Sequence, residues 1–156
     1  MRRVFKYLAI AAVVFLIAAQ FARPDRTNPP INPALTFETV ANPSPEMASI
    51  LKRACYDCHS HGTVWPWYSQ VAPASWLLAD DVKEGREHLN FSEWGLLRPQ
   101  TVEDKLQDVC KEVKEGEMPL WQYLLIHRES RLTQNDIVVL CTAAAGPDNA
   151  WEKGKK

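Results

Sequence analysis

The sequence predicts an all-α fold, on three observations. Apolar residues recur at three- and four-residue spacing along several stretches, these stretches are bounded by cap residues, and none alternates as a half-buried strand would. The first stretch differs from the rest. Arg2, Arg3 and Lys6 precede an apolar run from Tyr7 to Ala22, broken only by Gln20, which reads as the positive and hydrophobic regions of an export signal. With its flanks the run is just long enough to span a bilayer, and no clean small-x-small cleavage site ends it. An uncleaved transmembrane anchor over residues 1–22 is therefore the favoured expectation and a cleaved signal the alternative. No cysteine near its end suggests a lipoprotein. By the positive-inside rule the rest of the chain faces outward, on the periplasmic side of a bacterial inner membrane.

From 23 to 44 the composition shifts to Pro24, Pro29, Pro30, Pro33 and Pro43 among Asn, Thr and Asp. Such a segment is either an extended linker or a strap on the domain surface, for which Ile31, Leu35 and Phe37 supply apolar contacts. Residues 45–146 are enough for one core and too few for two, and 147–156 form a polar tail. Ser44 can cap a helix with Pro45 at its first position, and Met47, Ile50, Leu51 and Ala54 then share a face. A second helix is expected from Pro73 to Leu89, with Leu78, Val82 and Leu89 in register and Asp80, Asp81, Lys83 and Glu84 solvated. A short turn follows at Asn90–Trp94. Thr101 with Asp104 resembles a capping pair ahead of Val102, Leu106, Val109, Cys110 and Val113, with Gly116 as the stop. Thr133 with Asp136 repeats the device ahead of Ile137, Leu140, Cys141 and Ala144, and Gly146-Pro147 ends that helix.

The chemistry centres on Cys55-Tyr56-Asp57-Cys58-His59. C-x-x-C-H is the attachment signature of a c-type haem: two thiols one helical turn apart add to the two vinyl groups, and the next residue puts an imidazole under the iron. Cys55 and Cys58 are the expected thioether anchors of one covalent haem c per chain, and His59 the proximal ligand. A zinc site would need a second ligand pair and a thioredoxin-like pair a βαβ setting, and neither pattern is present. For the sixth ligand the best candidate is Met118 in Gly116-Glu117-Met118-Pro119, since a soft thioether favours ferrous iron and suits electron transfer. Its rivals are His127, His88 and, least of all, His61, which lies too near His59; an open site is the remaining alternative. Trp65, Trp67 and Tyr68 follow His59 closely and are the first choice for cofactor-binding pocket wall, while Arg53, Arg86 and the aromatic donors are candidates for the propionates.

These residues carry a resemblance. The helix leading into CxxCH, the Met-Pro loop and the capped C-terminal helix resemble class I cytochromes c. Cys55 through Ser60, Trp65-Pro66-Trp67-Tyr68-Ser69, Ala72-Pro73, Asp81-Val82, Gly85-Arg86, Leu89-Asn90-Phe91-Ser92, Gly116 through Pro119 and Tyr123 through His127 resemble the bacterial haem-binding-domain family of exported CxxCH proteins. The resemblance covers nearly all of the chain after the linker. It implies a covalent c-type haem and a cytochrome c-like helical fold, with no assigned reaction. The chain departs from the family pattern at Cys110 and Cys141. In an oxidising compartment these two form either a disulfide between two helices or a pair of small buried hydrophobes.

The net charge of -1 and the lack of a basic stripe or phosphate-cradling glycine loop argue against a nucleic-acid partner. Lys83, Arg86, Lys105, Lys111, Lys114, Arg128 and Arg131 read as a solvated face, or as a docking ring for an acidic redox protein. Two classes of function remain. The leading one is a membrane-tethered monohaem electron carrier without bond chemistry on a substrate, exchanging electrons with protein donors and acceptors. The alternative is a haem-based sensor or binder of CO, NO or peroxide with an open or labile sixth position.

Overall fold

Proline and glycine punctuate the chain into short helices. The structure, a computed structural model, describes Met1 to Ala143, and every regular element in that range is helical. The α-helices are α1 (Arg2–Ala19), α2 (Phe37–Ala41), α3 (Pro45–Ala54), α4 (Tyr56–His59), α5 (Ala74–His88), α6 (Pro99–Glu115), α7 (Trp121–Leu124) and α8 (Gln134–Thr142), joined by 3-10 turns. The expected stop at Gly146-Pro147, Ala144 and the polar tail lie outside the described residues.

Local chemistry explains most boundaries. Ser44 Oγ accepts from the Met47 amide at 3.2 Å and Pro45 opens α3, as the sequence predicts. Thr133 and Asp136 form a reciprocal capping box on α8. Gly116 ends α6 with φ 77°, left-handed backbone that a side chain would strain. The start of α6 differs from expectation: Pro99, preorganised for a first helical position, begins it, so Thr101 lies inside the first turn rather than at its cap.

The transmembrane expectation finds no support in the structure. Among the described residues no helix is long and apolar enough to cross a membrane. Lys6 still lies within α1, and its apolar part from Tyr7 to Ala19 extends only about 20 Å at ~1.5 Å per residue, short of a hydrocarbon core of about 30 Å. Beyond Ala19 the chain turns onto the domain. The Gln20 side chain accepts from the Ala72 amide at 3.0 Å and donates to its carbonyl at 3.2 Å.

The segment from 23 to 44 is the strap of the two alternatives. Arg26 donates to the Ser69 carbonyl at 2.6 Å and Asn28 to that of Thr63 at 2.8 Å. Phe37 at its end is only 3% exposed and packs edge-on against Trp94, centroids 4.7 Å apart, and Phe91, 5.4 Å. Around this aromatic group the core gathers Met47, Ile50 and Leu51 of α3, Val102, Leu106 and Val113 of α6, and Leu140 of α8. Cys110 and Cys141 form a disulfide that joins α6 to α8, with Cα atoms 4.7 Å apart.

Candidate functional site: a cavity built on CxxCH

The last turn of α3 bends at Cys55, whose carbonyl accepts from the amides of Cys58 at 3.2 Å and His59 at 2.9 Å. This single turn of α4 is pinned from outside. Thr63 Oγ1 donates to the Asp57 carbonyl at 2.6 Å, Tyr123 Oη donates to the Asp57 carboxylate at 2.8 Å, and Ser60 Oγ donates to the Tyr56 carbonyl at 2.7 Å. Against it lies α5 at Gly85, where an added Cβ would stand 2.9 Å from the Cys58 carbonyl oxygen. Only glycine permits this approach.

That approach orients His59. Its Nδ1 donates to the carbonyls of Gly85 at 2.8 Å and Leu89 at 3.1 Å. Carbonyls only accept, so Nδ1 carries the proton and Nε2 keeps its lone pair for a metal. Burial, the largest influence on this imidazole, lowers its pKa; the Leu89 and Gly85 carbonyls oppose it. The ring is thereby held neutral, the form that ligates. Burial likewise pushes the Cys55 and Cys58 thiols up to about 12, helped by Cys58 for the first and by Asp57 and Asp81 for the second. Both cysteines are free of disulfides and protonated at neutral pH.

Cys55, Cys58, His59 and Met118 all line one cavity of about 540 Å³, within the ordinary range for cofactor sites. Ala54, Leu89, Phe91, Val109, Val113 and Leu120 give it apolar walls, a recess suited to a flat macrocycle. Two of the rival histidines are otherwise engaged. His127 accepts from Tyr68 Oη at Nε2, 2.9 Å, and faces Glu129 through Nδ1, 3.3 Å, while its ring stacks on Tyr123 at 4.2 Å. His61 bonds the Pro30 carbonyl at 3.3 Å and the Asn90 amide at 2.9 Å. His88 lies on the exposed rim. Among the described residues no three His, Cys, Asp or Glu side chains gather as a metal cluster.

A family model described as a haem-binding domain matches residues 14–145. The chain belongs to that family. It is therefore a haem-binding protein, and the match extends over the strap as well as the helices around the cavity. No curated protein and no solved structure matches the chain.

For this haem-binding domain the expected pocket wall needs correction. Trp65, Trp67 and Tyr68 do not line the cavity: Trp65 faces a separate groove between the strap and α5 and donates to Asn28 at 3.2 Å, Trp67 is 75% exposed, and Tyr68 is taken by His127. The chain leaves α4 away from the recess, so nearness in sequence misleads. The propionate candidates are also committed elsewhere. Arg53 bonds the carbonyls of Glu129 and Arg131 and pairs with Asp136 at 2.7 Å, and Arg86 bonds Ser60, Asn28 and Thr63. Sequence reasoning named His88 as a rival ligand and Lys105 as a surface cation but missed the two lining stripes to which they belong. Asp81, Glu84 and His88 on α5, and Lys105, Asp108 and Glu112 on α6, all face the cavity. Their three- and four-residue spacing is the signal that marks them, a polar stripe beside the apolar one.

Proposed function

We propose that this haem-binding domain is a monohaem c-type cytochrome that carries electrons, with Cys55 and Cys58 as covalent anchors, His59 as proximal ligand and Met118 as second axial ligand. The observation that carries the reading is the tautomer of His59: both carbonyls lock the proton on Nδ1, leaving Nε2 directed to ligation beside two protonated thiols and a methionine in one apolar recess. The haem supplies one-electron iron chemistry. The protein's part is to fix ligand orientation, exclude water with apolar walls and hold two anchoring sulfurs one turn apart. Met118 is supported by position: it lines the cavity with His59, as Met47, His61 and His127 do not, while the other lining histidine, His88, is exposed on the rim. No acid–base group is required of such a carrier, and its partners are redox proteins rather than substrates.

The protein works outside the cytoplasm in this reading. The cationic start of α1 and its apolar side chains, exposed from Val4 to Ile17, suit a targeting segment of export type. The Cys110–Cys141 disulfide independently suits an oxidising compartment.

The test is retention of haem after denaturation. Protein made with c-haem maturation, extracted in acidified acetone, should keep its haem, and the peptide containing residues 55–59 should gain the haem mass. The Cys55→Ser/Cys58→Ser variant should release it. Full extraction of haem from the unaltered protein would refute covalent attachment.

A further inference from the structure

The open side of the cavity is unevenly charged. Glu84 and Asp108 are exposed there, with Asp81 and Glu112 half-buried beside them, and among the described residues Lys105 is the one permanent cation in the lining. Of the four carboxylates only Glu112 has a cation within ion-pair distance among the described residues, Lys111 at 3.9 Å. Asp81, Glu84 and Asp108 form no ion pair among the described residues. Burial and then repulsion from Asp80 and Glu84 raise the Asp81 pKa, a sign that negative charge is crowded here.

An apolar surface adjoins this rim. Leu120 and Gln122 line the cavity together with Asp81 and Glu84 of α5. Between and after them Trp121 is 73% exposed, Leu125 62% and Ile126 57%. An exposed indole is the type of anchor that dominates interface energetics, and the chain neighbours of Trp121, Leu120 and Gln122, line the cavity with these carboxylates.

We propose that this acidic and apolar face is the docking surface for a redox protein whose own cofactor edge is ringed by lysine and arginine. The inference rests on the electron-transfer reading, because only then must a partner approach this opening. Charge complementarity selects the occupant: unpaired carboxylates at the mouth repel an acidic partner and a second copy of the same face, and steer a basic one. Redox encounters are brief and small in area, so one exposed indole and a few carboxylates suffice. The arrangement inverts the basic docking ring read from the sequence, because of those cations only Lys105 is at the cavity.

The test uses ferrous, haem-loaded full chain in stopped flow with two small oxidants: cationic tris(phenanthroline)cobalt(III) and anionic hexacyanoferrate(III). The rate with the cation should fall with added salt and that with the anion should rise. Neutralising the rim with Asp81→Asn, Glu84→Gln and Asp108→Asn should shift the ratio of the two rates at least about five-fold toward the anion and flatten both salt dependences. Trp121→Ala should slow the aromatic cobalt complex about two-fold with its salt dependence intact. A control triple in the other groove, Asp25→Asn, Glu87→Gln and Glu93→Gln, should change the ratio less than about two-fold. If both oxidants react but the rim triple leaves the ratio unmoved, or the control moves it equally, the docking surface is refuted while electron transfer stands. If neither oxidant takes an electron, the electron-transfer reading fails and takes the docking surface with it.

Discussion

His59 and Met118 line the same cavity, yet the chain holds them by different means. His59 sits in a turn fixed by Thr63, Tyr123 and Ser60, its ring is bonded to two carbonyls, and α5 meets it at backbone contact through Gly85. Met118 follows Gly116, around which a Cβ would meet nothing within 4 Å, and its amide reaches the Glu112 carbonyl at 3.3 Å. Beyond this loop it is held by partial packing on the core and, through α6, by the disulfide to α8. His59 is built into packed backbone, while Met118 rides on a loop whose supporting helix is clamped at a distance. The His59 side of the cavity is thus the more tightly held, and in the proposed reading adjustment around the iron falls to the Met118 side.

The largest expected effect comes from the clamp. Cys110→Ser with Cys141→Ser opens a covalent link across 31 residues and should cost about 3–4 kcal/mol in denaturant unfolding. Hydrogen exchange should quicken in α6 and the Met118 loop more than around His59. Equal quickening at both would erase the contrast between the two walls. Next in size is Gly85→Ala, which forces a methyl group into the Cys58 carbonyl and should cost about 1–3 kcal/mol by overpacking. It should also disturb the proximal ligand, visible as an altered haem spectrum. Gly116→Ala places a side chain at φ 77° in open space, a cost of about 1 kcal/mol, and should weaken the Met118 ligand signature while haem stays attached.

A pH effect sharpens the proximal half. For Asp136 burial pushes the pKa up, but bonds from Thr133 and Arg53, with the Arg53 charge, bring it below the ordinary 3.8. A folded pKa below the unfolded one means the carboxylate's stabilisation is present above pH 3.8 and is lost as pH falls through the folded value. Since Arg53 belongs to the last turn of α3, Asp136→Asn should loosen the helix that leads into Cys55 and flatten this acid limb of the stability curve. An unchanged acid limb in the variant would remove Asp136 from the explanation.

The sequence was legible where chemistry is local. The motif at 55–59, the Ser44-Pro45 and Thr133-Asp136 caps, the Gly116 stop and the helical class all depend on residues a few positions apart, and the structure forms those caps and helices as expected. What depended on long-range placement was not legible. Trp65 and Trp67 follow His59 in the chain but leave the recess, while Phe37 from the strap enters the core. The carboxylates of α5 and α6 looked like solvated helix faces because only the meeting of two helices turns them toward one cavity. Cys110 and Cys141 were open to two fates in sequence, and the packing of α6 on α8 decided between them. The anchor expectation finds no support because the helix ends at Ala19, short of the apolar run's end at Ala22.

The most direct measurement is the optical spectrum of the haem-loaded protein in ferric and ferrous states, with and without CO, beside the Met118→Ala variant. The expected result is a ferric methionine-to-iron charge-transfer band that the variant lacks, and a ferrous spectrum that CO leaves unchanged until Met118 is removed. Ready CO binding by the unaltered protein without that band would contradict a closed His59–Met118 site and put ligand sensing ahead of electron transfer.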